Sequence, residues 1–118
     1  MPSPTPLEVA TQSVQRLVKE ETSYHKELSS QQARVSKIES EISAGTGDEN
    51  AEYVLKQEKA AVAETEAVFG PLRKRIEEAV GKLEEQIALS ESEGATGEAL
   101  EKAREILGKG REVVEKGE

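Results

Sequence analysis

Two long heptad tracks joined by one short turn constrain this chain more than any other feature. Val14, Leu17, Tyr24, Leu28, Val35, Ile38 and Ile42 follow the alternating three- and four-residue steps of a heptad, with polar residues at the intervening positions Glu21 and Gln31. Leu55, Val62, Phe69, Leu72, Ile76, Ala79 and Leu83 keep the same beat. Between the tracks stands Ala44-Gly45-Thr46-Gly47-Asp48. A stripe with a period near 3.5 residues is the seam of a helix packed lengthwise on another. Two such helices and a tight turn predict an antiparallel hairpin, a plan that leaves no deep pocket.

The turn chemistry sets the boundaries. Thr5-Pro6-Leu7-Glu8 reads as a helix start, with Thr5 as cap, Pro6 in the first turn and Glu8 completing a capping box. The first helix is expected over residues 6–43 and stops at Gly45. Asp48 is the expected cap of a second helix over 48–92, with Glu49 and Glu52 near the positive end of its dipole. Gly70-Pro71 interrupts this helix, yet the heptad phase holds from Phe69 through Leu72 to Ile76, so a kink near Pro71 is expected. A break into two helices is the alternative. Ala95-Thr96-Gly97 is a second turn. Leu100, Ala103, Ile106, Leu107, Val113 and Val114 then form a third stripe over 97–115. Gly108, Gly110 and Gly117 weaken this helix, and its last turns are expected to fray. The expected fold is all-α: one domain over 1–118, an elongated, left-handed, coiled-coil-like antiparallel three-helix bundle with helix 2 kinked near Pro71. Glu21 and Gln31 either fix the register as buried polar seam positions or mark a locally wet seam.

Composition narrows the function. No apolar run approaches the roughly 18 residues needed to span a bilayer, and Met1-Pro2-Ser3-Pro4-Thr5-Pro6 lacks the basic and apolar regions of a signal peptide. With no cysteine there is no disulfide, thiolate metal site or thiol nucleophile. The net charge of −8 argues against nucleic acid and against anionic membrane surfaces. The excess is local. Residues 48–93 carry six basic and twelve acidic groups, a net of −6, whereas 6–43 and 98–118 each carry five and six, a net of −1. The acidic segment is either a solvated face or a recognition face.

No catalytic constellation emerges. The single histidine, His25, has no second histidine or cysteine at metal spacing and is expected to be exposed. Glu77, Glu78, Glu84 and Glu85 could hold a divalent ion weakly but lack the spacing of a calcium loop. Gly45-Thr46-Gly47 follows no strand and is a turn. No cofactor, metal or small-molecule substrate is implied, and the expectation is that the chain is not an enzyme. Arg73-Lys74-Arg75 is the one basic run in the acidic segment. It either pairs locally with Glu77 and Glu78 or anchors an acidic partner.

Several stretches resemble the tubulin-specific chaperone A (tubulin-binding cofactor A) family. They are Gln15-Arg16-Leu17-Val18-Lys19-Glu20, then Tyr24, Glu27 and Gln31-Gln32. In the second track they are Asp48, Tyr53, Lys56-Gln57, Glu64-Thr65, Val68-Phe69-Gly70-Pro71 and Arg75-Ile76-Glu77-Glu78-Ala79. The segment between Glu64-Thr65 and Pro71 is one residue longer than the family pattern, and the N-terminal extension and glycine-rich third helix are less typical. The resemblance implies a three-helix bundle in the cytoplasm, associated with the microtubule cytoskeleton. It would bind β-tubulin after chaperonin release and act as a reservoir on the way to the heterodimer. A scaffold or self-associating coiled-coil adaptor is the rival reading. A self-contained monomer buries all its stripes, whereas a scaffold leaves one open. Arg16, Lys19, Glu64, Pro71, Arg73, Lys74 and Arg75 are the candidate partner contacts. Because tubulin is acidic, the basic ones must act through local complementarity.

Overall fold

The computed structural model describes residues 3–116. Among these residues the structure is helical and contains no strand. The helices are α1 (Pro6–Ala44), α2 (Ala51–Glu66), α3 (Phe69–Ser92) and α4 (Glu98–Lys116). Expectations placed on Met1, Pro2 and Gly117 lie outside the described residues.

The predicted start of α1 is a complete capping box. The Glu8 backbone N–H donates to Thr5 Oγ1 at 3.1 Å, and the Thr5 N–H donates to Glu8 Oε1 at 2.9 Å. Its end is equally well formed. The Gly45 N–H donates to the Ile42 carbonyl at 3.1 Å and the Thr46 N–H to the Glu41 carbonyl at 2.9 Å, with Gly45 at φ 74°. α3 ends on the same pair of bonds, from Gly94 to Glu91 and from Ala95 to Ser90, with Gly94 at φ 78°. Both glycines take up the left-handed conformation that closes the last turn, which other residues adopt only with strain.

Two boundaries differ from the sequence reading. Asp48 does not cap α2. Its Oδ1 accepts the Asn50 N–H at 2.9 Å, and its carbonyl accepts the Ala51 N–H at 3.1 Å. This closes a local turn that delays the helix to Ala51. Asn50 holds the cap position without a side-chain bond. The second difference concerns the kink, which takes the form of a two-residue turn at Ala67–Val68. Counted as one joined helix with a bend, 51–92 matches the expected second helix. The bend lies upstream of the proline. Pro71 becomes the third residue of α3, in the first turn, where its missing N–H leaves no hydrogen bond unmade.

The chain divides into two compact units. One combines the chain up to Glu21 with the chain from Gly70 onward; the other is Thr22–Phe69. In the first unit, the start of α1, α3 and α4 bury a dry core. Val14, Ile76, Leu83 and Ala103 are fully enclosed, and Leu72, Leu100 and Ile106 nearly so. Gly110 is part of this packing. A Cβ on it would lie 2.7 Å from Val80 Cγ2 and 2.9 Å from Val14 Cγ1. The expected weak point of the third helix is therefore a site of close approach, and α4 continues to Lys116. Arg104 pairs with Glu91 and Arg111 with Glu84, each at 2.6 Å. Seven residues forward along α4 thus correspond to seven back along α3.

The second unit contains the rest of α1 and all of α2. Its seam residues Tyr24, Leu28, Val35, Ile38, Ile42, Leu55, Val62 and Phe69 are all half-buried. The buried side chains here are polar: Gln31 and Thr65. Gln31 Nε2 donates to Glu27 Oε1 at 3.4 Å, while its Oε1 has no hydrogen-bond partner. Of the two readings of the polar seam positions, Gln31 therefore fits the buried one. Arg34 pairs with Glu58 at 3.3 Å and Lys59 with Glu39 at 3.2 Å. His25 is exposed yet stacks on Phe69 with ring centroids 4.4 Å apart, and Tyr24 meets Phe69 edge-on at 6.4 Å.

Candidate functional site

Six of the seven candidate contacts lie in the first unit. Arg16 and Lys19 are exposed on α1. Pro71, Lys74 and Arg75 are exposed and Arg73 is half-buried at the start of α3. Their positions follow from the heptad. Leu17 is buried in α1, so Arg16 and Lys19 on either side of it point away from the core. Leu72 and Ile76 are buried in α3, which turns the intervening basic run outward.

One ion pair ties the two groups together. Arg75 Nη1 lies 3.8 Å from Glu20 Oε1, the residue next to Lys19 and one turn beyond Arg16. The local alternative for the basic run, pairing with Glu77 and Glu78, is not formed; Arg75 reaches across to α1 instead. Among the described residues, Arg16, Lys19, Arg73 and Lys74 hold no ion pair. Of these, Arg16, Lys19 and Lys74 are exposed, available to an incoming acidic group. The pairs along a single helix that do form are in α4, Lys109–Glu105 and Lys116–Glu112. The Lys116 hydrogen bond and charge hold the Glu112 carboxyl below its ordinary pKa, and the same contact raises that of Lys116.

Glu64, the seventh candidate, is exposed on α2 in the other unit. The sequence reading did not count two exposed neighbours on that helix as contacts. Tyr53 is 64% exposed, with Gln57 Nε2 donating to its hydroxyl at 3.0 Å, and Val54 is 38% exposed. The signal for Val54 was available: Val54, Ala61 and Val68 repeat at seven residues, each just before a seam position.

A shallow, open depression at Ser36, Glu39, Ser40, Ser43 and Ala44 is lined by α1 alone. Among the described residues no cluster of three or more His, Asp or Glu side chains is arranged to hold a metal, and no helix is long and apolar enough to cross a membrane.

Comparison with known proteins yields one family. The model described as "Tubulin binding cofactor A" matches residues 2–107. No curated protein and no solved structure matches. The match extends beyond the stretches that carried the resemblance, running from the N-terminal extension through the buried part of α4, and on that basis the chain belongs to the tubulin binding cofactor A family.

Proposed function

We propose that this protein is a cytoplasmic tubulin-folding cofactor. It captures β-tubulin released from the chaperonin, holds it as a reservoir and passes it toward the αβ-heterodimer at the microtubule cytoskeleton. The observation that carries this is the family match over residues 2–107, which implies a tubulin-binding role of the chaperone, non-catalytic kind. The described surface supports it, since it presents exposed charge at Arg16, Lys19, Lys74 and Arg75. We further infer that helices within each unit pack antiparallel. The matched seven-residue steps of Arg104–Glu91 and Arg111–Glu84 support this in one unit, and Arg34–Glu58 with Lys59–Glu39 support it in the other. With α1 running through both units, the chain is read as one domain.

The contact surface proposed is Arg16, Lys19, Pro71, Arg73, Lys74 and Arg75, with Glu64 as a separate contact on α2. Four of its cations have no internal partner among the described residues, so they serve local complementarity toward an acidic client. The test is retention of β-tubulin released from chaperonin by the purified protein at near-physiological salt. Changing Arg73, Lys74 and Arg75 together to Glu should weaken capture without loss of helicity. Reversal of Lys102 on α4 should leave capture unchanged. If the wild-type protein retains no β-tubulin, the scaffold reading takes its place. The half-buried seam of the Thr22–Phe69 unit is the feature that favours that alternative.

A further inference from the structure

Thr46 stands in the turn between α1 and α2, followed by Gly47-Asp48-Glu49. Four Ser or Thr residues in the chain have a glutamate three places on: Thr5, Ser36, Thr46 and Ser90. The structure separates them. Ser36 and Ser90 lie within α1 and α3. Thr5 and its glutamate are tied to each other in the capping box, by bonds of 2.9 and 3.1 Å. Thr46 alone of the four stands between helices, and no residue from 43 to 50 is buried. Thr46 Oγ1 donates to the Glu41 carbonyl at 3.3 Å, beyond the usual O–H···O range, so the hydroxyl is loosely held. The Thr46 and Gly47 N–H groups donate to the same carbonyl at 2.9 and 3.2 Å. Releasing these turn bonds extends the chain without exposing a buried side chain.

A protein kinase reads its substrate as an extended segment. Extended chain places a residue three positions on about 10 Å away, whereas a helix brings it to about 4.5 Å. A carboxylate at that position reaches a separate cationic pocket only from a chain that can extend, which Ser36 cannot do without unwinding α1. The surroundings of Thr46 choose the kinase class. No lysine or arginine occurs between Lys37 and Lys56, Ser43 stands three residues before Thr46, and Gly47 follows it directly. A kinase that reads upstream arginine or a following proline finds neither here. Asp48 and Glu49 are exposed and complement a basic substrate groove. We propose that Thr46 is a phosphorylation site for an acidophilic protein kinase. Its Oγ1 attacks the γ-phosphorus of ATP, and the bond from that phosphorus to the bridging β-phosphate oxygen breaks. ADP leaves with the electron pair, and the hydroxyl proton passes to the catalytic aspartate of the kinase. The product adds a phosphate to the negative charge of Asp48 and Glu49 within the Thr22–Phe69 unit. The site lies apart from the basic cluster of α1 and α3 and stands independently of the tubulin reading.

The test incubates the purified full chain with an acidophilic kinase of the casein-kinase type and ATP, and locates the phosphate by mass spectrometry. The phosphate should fall on Thr46. Thr46→Ala should lower the rate of incorporation at least about tenfold, and Glu49→Gln, which keeps the hydroxyl but removes the carboxylate three residues on, should lower it about tenfold. Ser36→Ala should leave the rate unchanged, and Thr46→Ser should restore incorporation at the same position. A kinase that reads arginine three residues upstream should not label Thr46. Circular dichroism checks folding; should Thr46→Ala lower helicity, the site found on the unaltered chain and the Thr46→Ser variant decide. Absence of incorporation overturns the proposal. So does phosphate falling chiefly on Thr5, Ser36 or Ser90, an unchanged rate in Glu49→Gln, or equal labelling of Thr46 by the arginine-reading kinase.

Discussion

The two units are built from the same heptad grammar and reach different packing. Every fully buried apolar side chain among the described residues belongs to the unit containing α3 and α4; none belongs to Thr22–Phe69. The difference is the number of helices. In the first unit, α4 brings Leu100, Ala103, Ile106 and Leu107 against the start of α1 and α3, and Val14, Ile76 and Leu83 are sealed from water. In the second, two helices share one seam, and each apolar residue keeps one side in solvent. A seam orients helices, but a third element is needed to dry it.

Mutations that probe this contrast should fall in a definite order. Ile76→Ala, at a fully enclosed site, should destabilise by about 3–4 kcal/mol in urea denaturation. Leu28→Ala, the seam residue of the two-helix unit, should cost only about 1–2 kcal/mol because its surface is already partly wet. Equal losses would break the comparison.

Gly110→Ala should cost about 1–3 kcal/mol, because the added methyl collides with Val80 and Val14. Helix propensity alone predicts a gain of about 1 kcal/mol, so the sign of the change in thermal midpoint decides between packing and propensity.

Gln31→Leu removes an unpaired buried acceptor from the thinner unit and should be neutral or stabilising by about 1 kcal/mol in the same denaturation assay. A loss larger than that would mean the amide specifies register.

Smallest is the Glu112–Lys116 pair, which is fully exposed. Because the Glu112 pKa is lowered on folding, any stabilisation is present above the ordinary carboxylate value and fades as pH falls through the lowered one. Glu112→Gln should therefore produce no resolvable change in midpoint at neutral pH.

Much of this was legible in the residues. The heptad beat identified the helices and the seam, and Thr5, Glu8, Gly45 and Gly94 located ends that the backbone hydrogen bonds reproduce. Other features depended on tertiary context. Asp48 satisfied a turn rather than a helix, a competition between two local bonds that composition does not decide. Gly110 read as a helix weakener because propensity ignores the neighbour that needs the space. Pro71 marked the interruption, but the chain broke earlier so that the proline could occupy a first turn. The basic cluster was visible, whereas the pairing of Arg75 with Glu20, far off in sequence, was not.

Residue-resolved hydrogen exchange on the free protein tests the contrast most directly. Amides of α3 and of α4 up to Gly110 should exchange only through global unfolding. Those of α2 and of the α1 segment beyond Glu21 should exchange through a cheaper local opening, at least about tenfold faster. Uniform protection across both units would contradict the account, because the two-helix seam would then be as well sealed as the three-helix core.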